Sequence, residues 1–400
     1  MLEMPKVALI AGTYLPDRCG VAHYTARLRS ELSIDTIVLT TTEAAKLAND
    51  PSVLGVVEDW NLQNLPALVQ AIHQTQADLL HIQHAAGTYG FDRAIFLLPI
   101  VLRATGWHKP IITTAHEYGW WEWQPKWIPA ALLESLKQWG QQQQWWDRED
   151  GFLLTQSAAI ITTNDEAEKV IVDRLPDAKV HRIPIGANID VTACKTARQK
   201  LLENCGWSED VTAIAFFGFL HPVKGLETLL KAFQIVVQQQ PQARLILIGG
   251  VESLALRGAE AKQYWNKLES TLSELQLNGR VHMTGYVPGE VASVYLSGAD
   301  IGVLPFNHGV TLKSGSLLAL MAHQLPVIAT RSTDSTLTSL VKQIPSRNSD
   351  ALIHALLELI EDPSERFRLA QQGYQFVQQL NWKTIAEAHL AIYRSVLSHA

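Results

Sequence analysis

Cysteine is scarce: Cys19, Cys194 and Cys205 are far apart and odd in number. They form no CxxC pair and no cluster with histidine at metal-ligand spacing, which argues against a disulfide framework or a zinc module and fits a reducing compartment. No HxxxH or HExxH pattern is present, so no metal site is expected. Long apolar runs are missing as well. The longest, around Ala94 to Leu102, is far too short to span a bilayer and contains Pro99. The opening residues, MLEMPKVALIAG, lack the basic and long apolar regions of a signal peptide. A cytoplasmic protein is expected, with peripheral contact at a membrane surface left open. Positive charge is not in excess, since 33 Lys and Arg against 39 Asp and Glu give a formal net charge of -6. Nucleic acid is therefore not an expected partner. Finally, there is no Walker pattern and no GxGxxG after the first strand, so neither a P-loop NTPase nor a nicotinamide enzyme is supported.

Hydrophobic residues make up 47% of the chain and charged residues 18%, a composition for well-packed globular domains. Four hundred residues exceed one ordinary core and suggest two domains. Short β-rich runs alternate with helical periods throughout, which is the pattern of parallel sheets covered by helices. In the first half, strands are expected at Val7 to Ile10, Thr36 to Leu39, Val53 to Val57, Leu79 to Ile82, Ile111 to Thr114, Ala159 to Thr162 and Val180 to Pro184. The loop Gly12 to Gly20 then lies at the ligand edge of a doubly wound sheet. His81, His84 and His116 are expected at or just beyond strand carboxyl ends, where they favour polar recognition. Seven of the 12 tryptophans lie between Trp120 and Trp146. Such a concentration lines a carbohydrate pocket, rests at a membrane interface or forms a subdomain core, and the sequence leaves all three open.

In the second half, Thr192 to Asp210 reads as a linker with a lead-in helix. Strands follow at Ala213 to Phe217, Arg244 to Ile248, Val281 to Thr284, Ile301 to Pro305 and Pro326 to Thr330. Lys224 and Gly225 stand where a helix begins, although a cation is disfavoured at that positive end. A second loop, Gly309 to Ser316, brings Lys313 and the Ser314-Gly315-Ser316 step to another helix start, with backbone N–H groups of all three expected to face outward. Both loops follow strands of one sheet, so together they suit a bound diphosphate.

These residues, taken in order, resemble the family 4 glycosyltransferases over essentially the whole chain. The resemblance rests on GTYLPDRCGVAHYTARL, HIQH, TAHEYG, ITTNDEAEKVI, RIPIGANI, FFGFLHPVKGLETLLKAF, LILIGG, VHMTGYVPGEVASVYLSGADIGVLPF and LLALMAHQLPVIAT. It implies an α/β protein of the GT-B arrangement, two Rossmann-like doubly wound parallel-sheet domains facing each other across a cleft. The expected domains are an acceptor-side unit, 1–190, and a donor-binding unit, 191–379, with the helix 380–398 packing back on the first. The implied reaction is retaining, metal-independent transfer of a sugar from a nucleotide diphosphate sugar to a hydroxyl acceptor, whether a glycan, a glycolipid or other lipid-linked acceptor, or a small molecule. No cofactor is implied beyond that co-substrate. His116 and Lys224 are the implied catalytic residues. Gly20, Gly218, Lys224, Gly285, Tyr286, Val287, Lys313, Ser314, Gly315 and Ser316 are assigned to the donor, and His81, His84, Glu117 and Trp120 to the acceptor side.

Three departures from the family pattern stand out. The paired glutamates, eight apart, align with Thr311 and Ala319. The usual arginine after Gly218 aligns with Phe219, and the usual glycine before the Pro-led strand with Gln324. Lys313 offers a replacement for the missing arginine's charge. The loss of both carboxylates keeps a second reading open, a catalytically silent nucleotide-sugar-binding or scaffold protein, and the two-domain architecture also serves nucleotide-sugar epimerases.

Overall fold

The computed structural model describes residues 5–254, 256–332 and 335–398. The chain divides into two compact units, Met1–Ile185 with Trp382–Ala400, and Gly186–Asn381.

The first unit holds β1 (Val7–Ala11), β2 (Thr36–Thr41), β3 (Val53–Val57), β4 (Leu79–His84), β5 (Ile111–Ala115), β6 (Ala159–Thr162) and β7 (Val180–Arg182). They form one parallel sheet in the order β3-β2-β1-β4-β5-β6-β7. A parallel sheet is covered on both faces, so its strands read as continuous apolar runs, and β1 is buried at every position. Period-two alternation sorts the side chains. Val7 and Leu9 pack with Leu79, Ile112 and the helix Trp382–Leu397, whereas Ala8 and Ile10 pack with Leu80, Ile82 and the helix Leu65–Thr75.

The second unit holds β8 (Thr212–Phe217), β9 (Ala243–Ile248), β10 (Val281–Gly285), β11 (Ile301–Leu304), β12 (Val327–Thr330) and β13 (Lys342–Ile344), in the parallel order β10-β9-β8-β11-β12-β13. The two parallel-sheet α/β units expected from the sequence are thus present. In each sheet the strand order reverses at one crevice, β1/β4 in the first unit and β8/β11 in the second, and ligands of such sheets bind beyond the strand carboxyl ends there.

The lead-in helix expected within Thr192 to Asp210 is Ala197–Cys205, packed so closely on Gly289–Gly298 that a Cβ at Gly298 would lie 2.8 Å from the Ala197 carbonyl. Arg198 ties it down through Asp300, at 2.9 Å. One strand bound is corrected: the last strand of the first unit, expected to reach Pro184, stops at Arg182. Gln324, where the family pattern has glycine, adopts φ +57°. That is the left-handed conformation closing the helix Gly315–Ala322, with Leu325 N–H donating to the Leu320 carbonyl at 3.1 Å.

Candidate functional site

In the second unit the loops after β8 and β11 are sewn together at the crevice. Pro222–Lys224 is a single 3-10 turn, followed by Gly225 at φ +70° and then the helix Leu226–Gln239. Gly225 presses on the other loop, for a Cβ there would sit 1.9 Å from the Pro305 carbonyl, which only glycine avoids. Asn307 completes the seam, its N–H donating to the Val223 carbonyl at 2.9 Å and its Nδ2 to the Pro222 carbonyl at 3.1 Å. Lys224 therefore stands immediately before the helix's N-cap, Gly225, rather than within the helix, and still lies at its positive end.

This seam fixes the lysine's surroundings. Its Nζ lies 3.7 Å from the centroid of the Phe306 ring. Burial pulls its pKa down to about 8, while the π-face opposes that pull by stabilising the ammonium form. The result is an ammonium stripped of much of its water and held against a carbon wall.

The second half of the cradle is the N-terminus of Gly315–Ala322. Ser314 caps this helix, its Oγ accepting from Leu317 N–H at 3.3 Å. The Ser314 N–H donates to the Thr311 carbonyl at 3.0 Å, so the expectation of three outward N–H groups is corrected to two. Those of Gly315 and Ser316 carry no hydrogen bond among the described residues. Gly218, with φ +137°, lies against Ser316: a Cβ there would be 2.7 Å from the serine Oγ. Lys313 is exposed, its own N–H donating to Thr311 Oγ1 at 3.4 Å. Gly285 lies opposite Gly249 across a bridge, while Tyr286 abuts Gly250 and is 49% exposed; Val287, next along the loop, is half-buried. Ala319 is fully buried inside the helix, and Thr311 is half-buried.

Asn188 escaped the sequence reading. Its buried Oδ1 has no partner, and a Cβ on Gly315 would come within 3.1 Å of its Cγ. The only hint was its place in RIPIGANI.

In the first unit, His116 follows β5 and its N–H donates to the His84 carbonyl at 2.9 Å. His81 lies inside β4 and is fully buried, so its expected position at the strand end is corrected. Because side chains alternate, His81 and Gln83 share a face, beside Thr114 of the neighbouring strand and His116 just past its end. A hydrogen-bonded chain results: His116 Nε2 to Gln83 Oε1 at 3.0 Å, Gln83 Nε2 to His81 Nε2 at 3.0 Å, and His81 Nδ1 to the Tyr393 hydroxyl at 2.7 Å. Thr114 Oγ1 also lies 2.7 Å from His81 Nε2. Beside it, Tyr24 packs edge-on against His116, with centroids 4.7 Å apart, and its hydroxyl lies 3.2 Å from His389 Nε2.

Chemistry fixes the tautomers along this chain. The Ile385 carbonyl can only accept, so His389 donates from Nδ1, at 2.8 Å, and its Nε2 accepts from Tyr24. With the Gln83 oxygen toward His116, that ring carries its proton on Nε2 and leaves Nδ1 as a bare acceptor. His116 Nδ1 has no hydrogen bond among the described residues. Burial first, then the neighbouring histidines, pushes the His116 pKa down to about 3, so the ring is neutral at physiological pH. Burial likewise takes His84 and His389 to about 4 and His81 well below its ordinary value.

The other acceptor-side residues stand apart from this chain. His84 stacks on Tyr89 at 5.7 Å, and its buried Nε2 lacks a partner. Glu117 is exposed, and Trp120 is 56% exposed with its ring edge-on to Phe91. Gly20 opens the helix Gly20–Glu31, and nothing lies within 4 Å of a Cβ placed on it.

Two parallel-sheet α/β units with ligand-ready crevices define a fold that solved glycosyltransferases of the GT-B class share. Sucrose-phosphate synthase from Thermosynechococcus elongatus matches with a TM-score of 0.70 at 20% identity, over 99% of this chain and 100% of that one. The Anabaena protein HepE, solved in complex with UDP, matches with a TM-score of 0.70 at 14% identity, over 98% of this chain and 100% of that one. At the sequence level, residues 212–362 match the family model for Glycosyl transferases group 1. A D-inositol 3-phosphate glycosyltransferase of Corynebacterium urealyticum is 25% identical over 259 residues, which are 61% of this chain and 58% of that protein. A GDP-mannose-dependent monoacylated alpha-(1-6)-phosphatidylinositol monomannoside mannosyltransferase of Corynebacterium glutamicum is 27% identical over 214 residues, 50% of this chain and 51% of the relative. The match thus spans less than two thirds of either relative.

Proposed function

We propose that this protein is a retaining, metal-independent glycosyltransferase that moves a sugar from a nucleoside diphosphate sugar to a hydroxyl acceptor. One observation carries the reading: a desolvated ammonium, Lys224, is fixed at the same crevice as the two open N–H groups of a helix start. Breaking the bond between sugar C1 and phosphate oxygen leaves the electron pair, and negative charge, on the diphosphate. Preorganised donors in a water-poor site stabilise that charge selectively. Lys224 supplies the full charge. Gly315 and Ser316 supply N–H groups with the helix dipole behind them.

In this reading Gly218, Gly285, Tyr286 and Val287 border the nucleotide, and Gly20 offers its N–H to the donor phosphates. Lys313 substitutes for the charge of the family pattern's arginine, whose own position is held by Phe219. His116, with Nδ1 bare, accepts a hydrogen bond from a hydroxyl of the transferred sugar. The relatives' names, each including a sugar transfer, and the UDP bound to HepE support a nucleoside diphosphate sugar as donor.

The test is a panel of uridine, guanosine and adenosine diphosphate sugars assayed with and without hydroxyl acceptors. Acceptor-dependent release of nucleoside diphosphate is expected, unaffected by EDTA, and the new bond is expected to keep the donor's anomeric configuration in the product NMR spectrum. Tight donor binding without turnover would instead identify a silent binding protein. Sugar isomerisation without acceptor would identify an epimerase.

A further inference from the structure

The helix Ala130–Gln142 is amphipathic the wrong way round. Its inward face presents Leu133, Lys137 and Gly140, and Lys137 is 2% exposed with Nζ 3.1 Å from Glu122 Oε2. Its outward face presents Leu132, Leu136 and Trp139, at 54%, 41% and 54% exposure. Spacings of four and then three residues set these three in one stripe. Trp145 extends the stripe, its ring edge-on to Trp139 at 5.9 Å and 49% exposed.

Rotation cannot relieve this arrangement. Glu122 also binds Arg148 at 2.8 Å and Arg174 at 3.3 Å, and a Cβ on Gly140 would already be 3.0 Å from the Trp146 ring. Turning the helix would break an inward ion-pair network and force Trp146 aside, so the apolar stripe stays outward. Exposed apolar surface of this extent marks an interaction site.

The patch's chemistry selects its occupant. Between Lys126 and Trp146 the exposed charged residues are Lys126 and Glu134, one of each sign, and Glu134 is held by Arg148 at 3.1 Å. The exposed polar neighbours are uncharged, Ser135, Gln138, Gln142 and Gln143. A surface of indole and leucine with an uncharged polar rim offers nothing to a charged partner and complements a layer whose headgroups carry no net charge. Indole rings favour the boundary between hydrocarbon and water. Among the described residues no helix is long and apolar enough to cross a membrane, so the contact lies in the plane of the interface.

We propose that this face, Leu132, Leu136, Trp139 and Trp145, docks on a bilayer of zwitterionic lipid, independently of the reaction proposed above. The test is co-sedimentation of the full chain with phosphatidylcholine vesicles, repeated in 0.5 M salt and with added anionic lipid. Wild type is expected to bind, to lose no binding in salt, and to gain less than about threefold from anionic lipid. The triple variant Leu132→Gln, Leu136→Gln, Trp139→Gln should bind about 100-fold less, from roughly a half-buried side chain lost at each position. All three positions are exposed, so its melting temperature should match wild type. Should the triple variant not fold, the single change Trp145→Gln, in the exposed ring edge-on to Trp139, is expected to weaken binding about threefold or more. Failure of wild type to bind, binding that requires anionic lipid, or unchanged binding by the folded variants would overturn the proposal. So would a dimer in light scattering that the triple variant abolishes, which would make a second copy the occupant.

Discussion

Lys224 gives a prediction with a sign, a size and a control. With its pKa lowered by burial to about 8, the free protein holds this lysine mostly protonated at pH 7.5 and mostly neutral at pH 9.5. A diphosphate requires the ammonium form, so above pH 8 binding must first take up a proton. From pH 7.5 to 9.5 the Kd for a nucleoside diphosphate should rise about 25-fold, close to 1.9 kcal/mol. A lysine with its ordinary pKa would change Kd by only about 1.1-fold over that range. Ionisation of the nucleotide base also contributes, and Lys224→Arg removes that ambiguity because its guanidinium stays charged throughout. The quantity to measure, by calorimetry at five pH values, is the ratio of wild-type to Lys224→Arg dissociation constants. A ratio constant within twofold would show that Lys224 either keeps an ordinary pKa or does not touch the ligand, and the reasoning would fail.

Three further outcomes are expected. Gln83→Glu should raise the pKa of His116 well above about 3, read from its ring nitrogens by NMR, because a carboxylate would then face Nε2; an unmoved resonance would dissolve the tautomer assignment. His389 has its folded pKa lowered to about 4 from 6.5, so the stability it contributes is complete above pH 6.5 and lost as pH falls toward 4. Each such histidine adds about 1.4 kcal/mol per pH unit to the slope, and urea titrations of His389→Gln between pH 4.5 and 6 should show a slope shallower by that amount. Gln324→Gly should raise stability by about 0.5–1 kcal/mol, since glycine relieves the left-handed strain at φ +57° and gives back part of the gain as unfolded-state entropy; a loss of stability would mean the glutamine side chain has a packing role.

Much of the fold was legible because all-parallel sheets bury both faces. Runs such as Val7–Ala11 and residues 245–248 (LILI) are apolar without interruption, and each is followed by a helical period. That the Lys224 loop and the loop leading to Gly315 and Ser316 follow strands of one parallel sheet, and so share an edge, was legible for the same reason. Hydrogen-bond bookkeeping within the loops was not. Nothing in the letters showed that Ser314 would give its N–H to Thr311, or that Lys224 would end a 3-10 turn. The inward position of His81 depended on two extra residues of β4, and strand ends are set by pairing with neighbours rather than by local sequence. Its partner Tyr393 lies 312 residues away, beyond the reach of any local pattern. The Trp-rich segment was left open by the sequence. Leu132, Leu136 and Trp139 have the spacing of a core stripe, yet Lys137 turns inward to Glu122 and the stripe faces outward.

The central claim is that Lys224 stabilises a departing diphosphate, and turnover of a nucleoside diphosphate sugar at saturating donor tests it most directly. Lys224→Ala is expected to lower kcat by about 10²–10³, the loss typical of removing one oxyanion donor at about 2.7–4 kcal/mol, and to lower it more than it weakens donor binding. A variant that turns over as fast as wild type would contradict the claim.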